Sequence, residues 1–259
     1  MDLEGRIALV TGAGSGIGAA SALALAREGA DVGLVSRSAD ELDEVAGQIR
    51  AMGGKALPIP ADVSSDKAMQ DAFGHIADEF GRLDIVFANA GINGVWAPIQ
   101  DLKPEEWDQT NAINLRGTFL TLHYAVPMLR ARGGSIIITS SINGTRTFTT
   151  PGASAYATTK AGQLALGQMA ALELAQYKIR VNIICPGAIG TEIGDNTKQR
   201  NVDEAKVPAE FPEGDVPLTA GQPGTAEDVA DLVVFLASDR SRHITGTPIW
   251  IDGGQSLLV

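Results

Sequence analysis

Ile7-Ala8-Leu9-Val10-Thr11-Gly12-Ala13-Gly14-Ser15-Gly16-Ile17-Gly18 is the stretch that decides how the rest of the chain is read. Ile7 to Val10 is an apolar run suited to a buried strand. Ala19 to Glu28, rich in Ala and Leu, suits a helix. Between them lies a glycine-dense turn whose missing side chains let backbone approach a dinucleotide pyrophosphate. The helix N-terminus adds free N–H groups and the positive end of a dipole. Gly12, Gly14, Ser15, Gly16, Ile17 and Gly18 are therefore candidate phosphate-cradle residues, although such a turn can also be only a tight turn.

The surrounding composition fits a single α/β domain. The chain has 259 residues, 44% of them hydrophobic, and a formal net charge of −11. That balance disfavours nucleic acid and anionic membrane as partners, because both need a basic footprint. Cys185 is the only cysteine, which excludes an intrachain disulfide and fits a reducing compartment. No basic-then-apolar leader precedes the first strand, and no apolar run nears the roughly 18 residues of a membrane span. The reading is a soluble, cytoplasmic protein.

Outward from the glycine turn, short β-like runs alternate with helical stretches. Strands are expected at Ile7–Thr11, Asp31–Ser36, Ala56–Pro60, Ile85–Asn89, Ser135–Thr139, Arg180–Cys185 and Pro248–Asp252. This alternation predicts a seven-stranded parallel sheet with helices on both faces, one doubly wound (Rossmann) domain over residues 1–259. Ser38-Ala39-Asp40-Glu41 matches a capping box, followed by Leu42, Val45, Ile49 and Met52 at helical spacing. Met69, Phe73, Ile76 and Phe80 form a second stripe, and Pro104 suits the first turn of a helix running towards Leu122. From Gly190 to Gly224 the pattern fails amid four prolines, with no convincing strand. The stretch reads either as a lid over a binding site or as disorder.

Ligands of open parallel sheets bind beyond the carboxyl ends of the strands. After the second strand come Ser36-Arg37-Ser38, where an Asp or Glu would bind both ribose hydroxyls of NAD. The planar, permanently charged Arg37 suits an extra phosphate instead, so NADP(H) is favoured over NAD(H), unless Arg37 merely sits in a solvent loop. After the third strand Asp62 is expected to accept from the adenine amino group, with Val63 beside the ring. Asn89-Ala90-Gly91 follow the fourth strand, and Thr139 ends the fifth before Ser140-Ser141. Pro186-Gly187-Ala188-Ile189-Gly190-Thr191 follow the sixth. Tyr156 and Lys160, four residues apart, share a helical face. A nearby ammonium is expected to lower the tyrosine pKa from its reference near 10, giving an acid/base pair for an alcohol or carbonyl. Ser141 would hold the substrate oxygen near Tyr156.

In this order, Thr11-Gly12-x-x-x-Gly16-x-Gly18, Asn89-Ala90-Gly91, Asn114, Ser141, Tyr156-x-x-x-Lys160 and Pro186-Gly187 resemble the short-chain dehydrogenase/reductase family, in the branch of 3-oxoacyl-ACP reductases and related dehydrogenases. The resemblance runs from Leu3 to Gly254. It implies that Tyr156 is the general acid in reduction and the base in oxidation. It also implies that Lys160 lowers the Tyr156 pKa and binds the nicotinamide ribose. Ser141 would position substrate, and Asn114 would help hold a proton-relaying water. Thr191 and the backbone of Ile189 would bind the carboxamide. The family usually forms homodimers or homotetramers, with the Tyr156 helix and last strand at the contacts; Leu164, Leu166, Met169, Leu172 and Leu174 offer apolar surface for this.

Two features depart from the family pattern. Ala88 stands where a second asparagine is common, and the Ser141–Tyr156 interval is about two residues longer than usual. Trp96, Phe148 and residues 190–224 are expected to shape a pocket for a small carbonyl or alcohol, which the sequence does not identify further. His75, His123 and His243 lack metal-ligand spacing, so no metal is expected. Competing functions are a non-catalytic dinucleotide sensor, an NAD-dependent dehydrogenase of a sugar or polyol, and a sugar-nucleotide epimerase or dehydratase. The complete set Asn114, Ser141, Tyr156 and Lys160 argues against the sensor, and the glycine spacing argues against the epimerase.

Overall fold

Runs of aliphatic residues bounded by glycine, proline or polar side chains become the strands of the computed structural model, which describes residues 1–191, 194, 197–206 and 216–258. The first half comprises β1 (Ile7–Thr11), α1 (Gly16–Arg27), β2 (Asp31–Ser36), α2 (Ala39–Ala51), β3 (Ala56–Pro60), α3 (Asp66–Phe80) and β4 (Ile85–Ala88). A short β5 (Val95–Trp96) precedes α4 (Pro104–Asn111), α5 (Gly117–Leu129), β6 (Gly134–Thr139), α6 (Ser154–Leu174) and β7 (Ile179–Pro186). β8 (Lys198–Gln199), α7 (Ala226–Ala237) and β9 (Pro248–Ile251) follow.

Seven strands pair in parallel in the order β3-β2-β1-β4-β6-β7-β9. Successive crossovers lead away from β1 on one side and away from β4 on the other. The loops therefore diverge between β1 and β4, and a crevice opens at the carboxyl ends of the strands there. Alternation along each strand feeds two cores. Ala8 and Val10 pack with α1, α2 and α7, whereas Ile7 and Leu9 pack with α3, α5 and α6. Each fully buried Leu, Ile or Val in these cores contributes about 1.5–3 kcal/mol.

Local signals place the helix ends. Ser38, Ser65 and Thr225 accept the N–H three residues ahead and cap α2, α3 and α7. Such caps are each worth about 1 kcal/mol. Met52 departs from its expected place on the apolar stripe: α2 ends at Ala51 before Gly53 and Gly54, leaving Met52 46% exposed. Pro104 opens α4, and the helical run passes through a π-helical segment, Ala112–Arg116, into α5.

The stretch after β7 is not wholly irregular. β8 pairs in parallel with β5, and Arg200 N–H donates to Trp96 O at 2.9 Å. Single-turn helices occupy Val202–Ala205 and Pro217–Thr219. Pro208 and Pro212 lie outside the described residues. Among the described residues no helix is long and apolar enough to cross a membrane.

Candidate active site

A cleft of about 650 Å³ runs across the carboxyl edge of the sheet, from Ser36 and Arg37 at one end to Tyr156 and Lys160 at the other. The glycine turn forms its floor. Gly12 and Gly16 have φ of 68° and 51°, a region that side-chain-bearing residues avoid. Gly18 lies in the first turn of α1, where a β-carbon would collide with Gly12 O. Its hydrogen atom is what lets α1 start so close to the loop.

From this floor a chain of hydrogen bonds leads to the other end of the cleft. Thr11 Oγ1 accepts from the N–H groups of Asn89 (3.0 Å) and Ala90 (3.1 Å), tying β1 to the end of β4. Thr139 Oγ1 donates to Asn89 Oδ1 at 3.0 Å. Lys160 Nζ donates to Thr139 O at 3.0 Å, and Ser140 Oγ donates to Lys160 O at 2.7 Å. These bonds fix Lys160, only 3% exposed, to the ends of three strands. Burial pushes its ammonium pKa down to about 8. Lys160 Nζ lies 5.4 Å from the centre of the Tyr156 ring.

Tyr156 and Ser141 meet across the cleft. The Ser141 hydroxyl hydrogen-bonds the phenol and favours its anion, but burial outweighs this and raises the Tyr156 pKa above its ordinary value. The expected lowering by Lys160 is thus not found, because the low-dielectric surroundings penalise phenolate more strongly. Ser141 Oγ also accepts from Asn143 N–H at 3.1 Å, which fixes its position.

Asn114 stands on the π-helical segment and is wholly buried. Its side chain accepts from Ile92 N–H (2.8 Å) and donates to Ile92 O (2.9 Å) and Thr159 Oγ1 (3.1 Å). Its carbonyl accepts from Thr118 (2.7 Å) and Gln163 (3.0 Å). Asn114 therefore clamps the loop after Gly91 to α6. A β-carbon on Gly91 would lie 3.3 Å from Asn114 Oδ1 and 3.6 Å from Lys160 Nζ, so this glycine leaves the cleft open beside the ammonium.

The remaining sequence-derived residues are distributed along the same walls. Ser36, Arg37, Asp62, Val63, Asn89, Ala90 and Thr139 line the cleft, as do Gly14, Ser15, Ile17, Pro186, Gly187, Ile189 and Thr191. Asp62 Oδ1 accepts from the Ser64 N–H (2.9 Å) and hydroxyl (2.7 Å). Ser38 serves as the cap of α2, and neither it nor Gly18 is part of the lining. Thr191 reaches back over Gly16, where a β-carbon would lie 3.3 Å from Thr191 Cγ2. The Gly187–Thr191 loop is held by Gln255 Oε1 accepting from Ala188 N–H at 2.8 Å and by Gly190 N–H donating to Gly224 O at 2.9 Å.

Other residues of the cleft were not singled out by the sequence: Glu41, Asn93, Val95, Glu106, Gln109 and Lys198. Arg200 makes a two-pronged ion pair with Glu106, pinning the β8 segment to α4 and pulling the Glu106 pKa down to about 2. Phe148 is 76% exposed and Trp96 pairs β5 with β8, so neither belongs to the lining. The Ile142–Thr147 turn, closed by Thr147 N–H donating to Ile142 O at 3.0 Å, leads Phe148 out to solvent. His75, His123 and His243 are exposed, and no three His, Cys, Asp or Glu side chains gather as metal ligands among the described residues.

The site fits a nicotinamide dinucleotide. Its floor is open backbone at a helix N-terminus, and among the described residues the buried Lys160 ammonium has hydrogen-bonded only one of its three protons. Comparison with known proteins agrees. Residues 12–256 match the family model described as Enoyl-(Acyl carrier protein) reductase. The chain is 36% identical over 255 residues to the 3-oxoacyl-(acyl-carrier-protein) reductase FabG of Thermotoga maritima, covering 98% of this chain and 99% of that one. A 3-ketoacyl-ACP reductase structure from Sinorhizobium meliloti 1021 is 60% identical with a TM-score of 0.95, covering 98% and 100% of the two chains. Two further solved structures carry cofactors. A 3-ketoacyl-(acyl-carrier-protein) reductase from Brucella melitensis complexed with NADH is 30% identical (TM-score 0.86; 98% and 99% covered). A short chain dehydrogenase from Burkholderia cenocepacia J2315 in complex with NADP is 36% identical (TM-score 0.86; 98% and 99% covered).

Proposed function

We infer the mechanism from the premise that this chain belongs to the short-chain dehydrogenase/reductase family: Tyr156 is the proton donor and acceptor of the reaction. The enzyme is an oxidoreductase that uses a nicotinamide cofactor to interconvert a carbonyl and an alcohol. One arrangement supports the role of Tyr156. Its phenol meets the Ser141 hydroxyl in the cleft, with the buried ammonium of Lys160 5.4 Å from the ring centre.

In the direction of reduction, Ser141 donates a hydrogen bond to the substrate carbonyl oxygen and holds it against the phenol. Tyr156 transfers its proton to that oxygen as the carbon accepts a hydride, giving CH–OH and a phenolate. The cofactor supplies the hydride when bound. Lys160 stabilises the phenolate, and its remaining N–H donors would hold the ribose hydroxyls. Burial keeps Tyr156 protonated at neutral pH, the form that reduction requires. Asn114 keeps the loop after β4 at the distance that leaves room for the nicotinamide ribose. Thr191 and the Ile189 backbone, which line the cleft, would hold the carboxamide.

Arg37 stands at the adenosine end and favours NADP(H) through its phosphate-binding fork. The similarity to 3-ketoacyl-ACP reductases makes a 3-oxoacyl thioester the first substrate to try. Association into dimers or tetramers would use the outer faces of α5 and α6, where Phe119, Met169 and Leu172 are 48%, 58% and 77% exposed. Sedimentation of a monomer at low micromolar concentration would remove that part of the reading. Its place of action is the cytoplasm, consistent with one unpaired cysteine.

A panel of ketones, 3-oxoacyl thioesters and secondary alcohols tests the function, followed at 340 nm with NADPH/NADP and NADH/NAD in parallel. Turnover of at least one carbonyl is expected, and faster with NADPH. No turnover across the panel, with either cofactor bound, would favour the sensor function instead.

A further inference from the structure

At the adenosine end of the cleft, the first turn of α2 departs from those of α4 and α7 in one respect. The third residue of α4, Glu106, reaches back to accept the Lys103 N–H at 3.0 Å. In α7, Asp228 does the same for the Thr225 N–H at 2.7 Å. This return bond is the ordinary use of an acidic side chain at that position. Glu41 occupies the same position in α2, and Ser38 caps it by accepting the Glu41 N–H at 3.4 Å. The Glu41 carboxylate, however, turns away from the cap and lies over Gly14. A β-carbon on Gly14 would run into Glu41 Oε2 and lie 3.0 Å from Glu41 Cβ and 3.3 Å from Ser36 Oγ.

Glu41 thus lines the same wall as Ser36 and Arg37. Neither Glu41 nor Arg37 has an ion-pair partner among the described residues, and they do not pair with each other. An unpaired carboxylate and an unpaired guanidinium therefore face one ribose site. The end of β2, where an acidic residue would bind ribose hydroxyls, carries Ser36 instead.

We propose that Glu41 is a second determinant of cofactor choice, supplying from α2 the ribose-binding carboxylate that β2 lacks, so that the enzyme accepts both NAD(H) and NADP(H). Carboxylate oxygens accept from both vicinal hydroxyls of an unphosphorylated ribose, and repel a 2′-phosphate. Arg37 attracts that phosphate. Discrimination is the balance of the two, and rests on the cleft binding a nicotinamide dinucleotide as set out above.

Calorimetric titration with NAD⁺ and NADP⁺ separates these contributions without substrate. Wild-type protein should bind both, with dissociation constants within about tenfold of each other. Glu41→Gln should weaken NAD⁺ about fivefold, for loss of a charge-assisted hydrogen bond, and tighten NADP⁺ about fivefold. Arg37→Ala should weaken NADP⁺ about tenfold and leave NAD⁺ unchanged. Circular dichroism melting of each variant checks that it is folded, and Glu41→Asp serves as a second probe that keeps the charge but shortens its reach. A Glu41→Gln ratio of the two constants within twofold of wild type overturns the proposal. An Arg37→Ala variant with unaltered NADP⁺ affinity overturns the Arg37 reading and leaves Glu41 standing. Failure of the wild type to bind either dinucleotide would overturn the cofactor assignment and the role of Glu41 with it.

Discussion

The two ends of the cleft are built in opposite ways. At the catalytic end Lys160, Asn114 and Thr139 are buried, and each is hydrogen-bonded to a different strand or helix. At the adenosine end Arg37 and Glu41 are exposed, come from one strand–helix junction, and have no ion-pair partner among the described residues. Buried, hydrogen-bonded groups are held in one geometry, and removing one leaves a desolvated partner. Exposed charges can be exchanged with almost no effect on folding. On the proposed reading, the chemistry is tied to the core of the protein and cofactor choice is left to residues that can vary freely.

Lys160→Met probes the buried end most severely. Turnover should fall by about 10²–10³-fold, the usual contribution of such a group. The unfolded chain keeps this proton up to the ordinary value of 10.5, whereas the folded protein releases it near 8. More protons are then bound by the unfolded state between those values, so the cost of burying the ammonium is greatest below pH 8 and declines as pH rises. Wild type should accordingly gain stability on the variant as pH rises from 8 to 10, whatever offset the lost bond to Thr139 O adds at all pH values. A melting-temperature difference that does not change over that range would contradict the assignment of a costly buried charge.

Two glycines of one loop extend the contrast. Gly18→Ala places a methyl against the backbone oxygen of Gly12 and should destabilise by about 3 kcal/mol, the upper range for overpacking. Gly14→Ala meets the movable carboxylate of Glu41, and also Glu41 Cβ at 3.0 Å and Ser36 Oγ at 3.3 Å, and should cost about 1 kcal/mol in chemical denaturation, while altering NAD⁺ affinity. Equal costs would show that the adenosine end is as rigid as the other. Between the two ends, Arg200→Ala releases the β8 segment from α4 and should raise KM about fivefold with kcat within twofold. A fall in kcat alone would place this ion pair in the chemical step.

Much of this was legible in the sequence because it rests on local spacing. The glycines, the seven strands, the Ser38 cap and the Tyr156–Lys160 pair all depend on residues within a few positions of one another. What was missed depends on long-range placement. Glu41 reads as a helix-capping residue until its side chain is seen to turn over Gly14. Arg200 and Glu106 are 94 residues apart and meet only through the β5–β8 pairing. The aromatic Phe148 suggested a pocket wall, but the turn before it leads it into solvent. The Tyr156 pKa was expected to follow its charged neighbour and instead follows burial, which no spacing rule reports. Asn114 was readable as a site residue through its family resemblance, yet its five bonds to Ile92, Thr159, Thr118 and Gln163 emerge only from the π-helical segment that carries it.

The proton-transfer role of Tyr156 is the claim on which the rest depends, and Tyr156→Phe removes one oxygen atom from a side chain whose ring stays in place. On a carbonyl turned over by the wild type, kcat should fall at least about 10³-fold, with NADP⁺ affinity within twofold of wild type. A folded variant that retained most of its turnover would contradict that role.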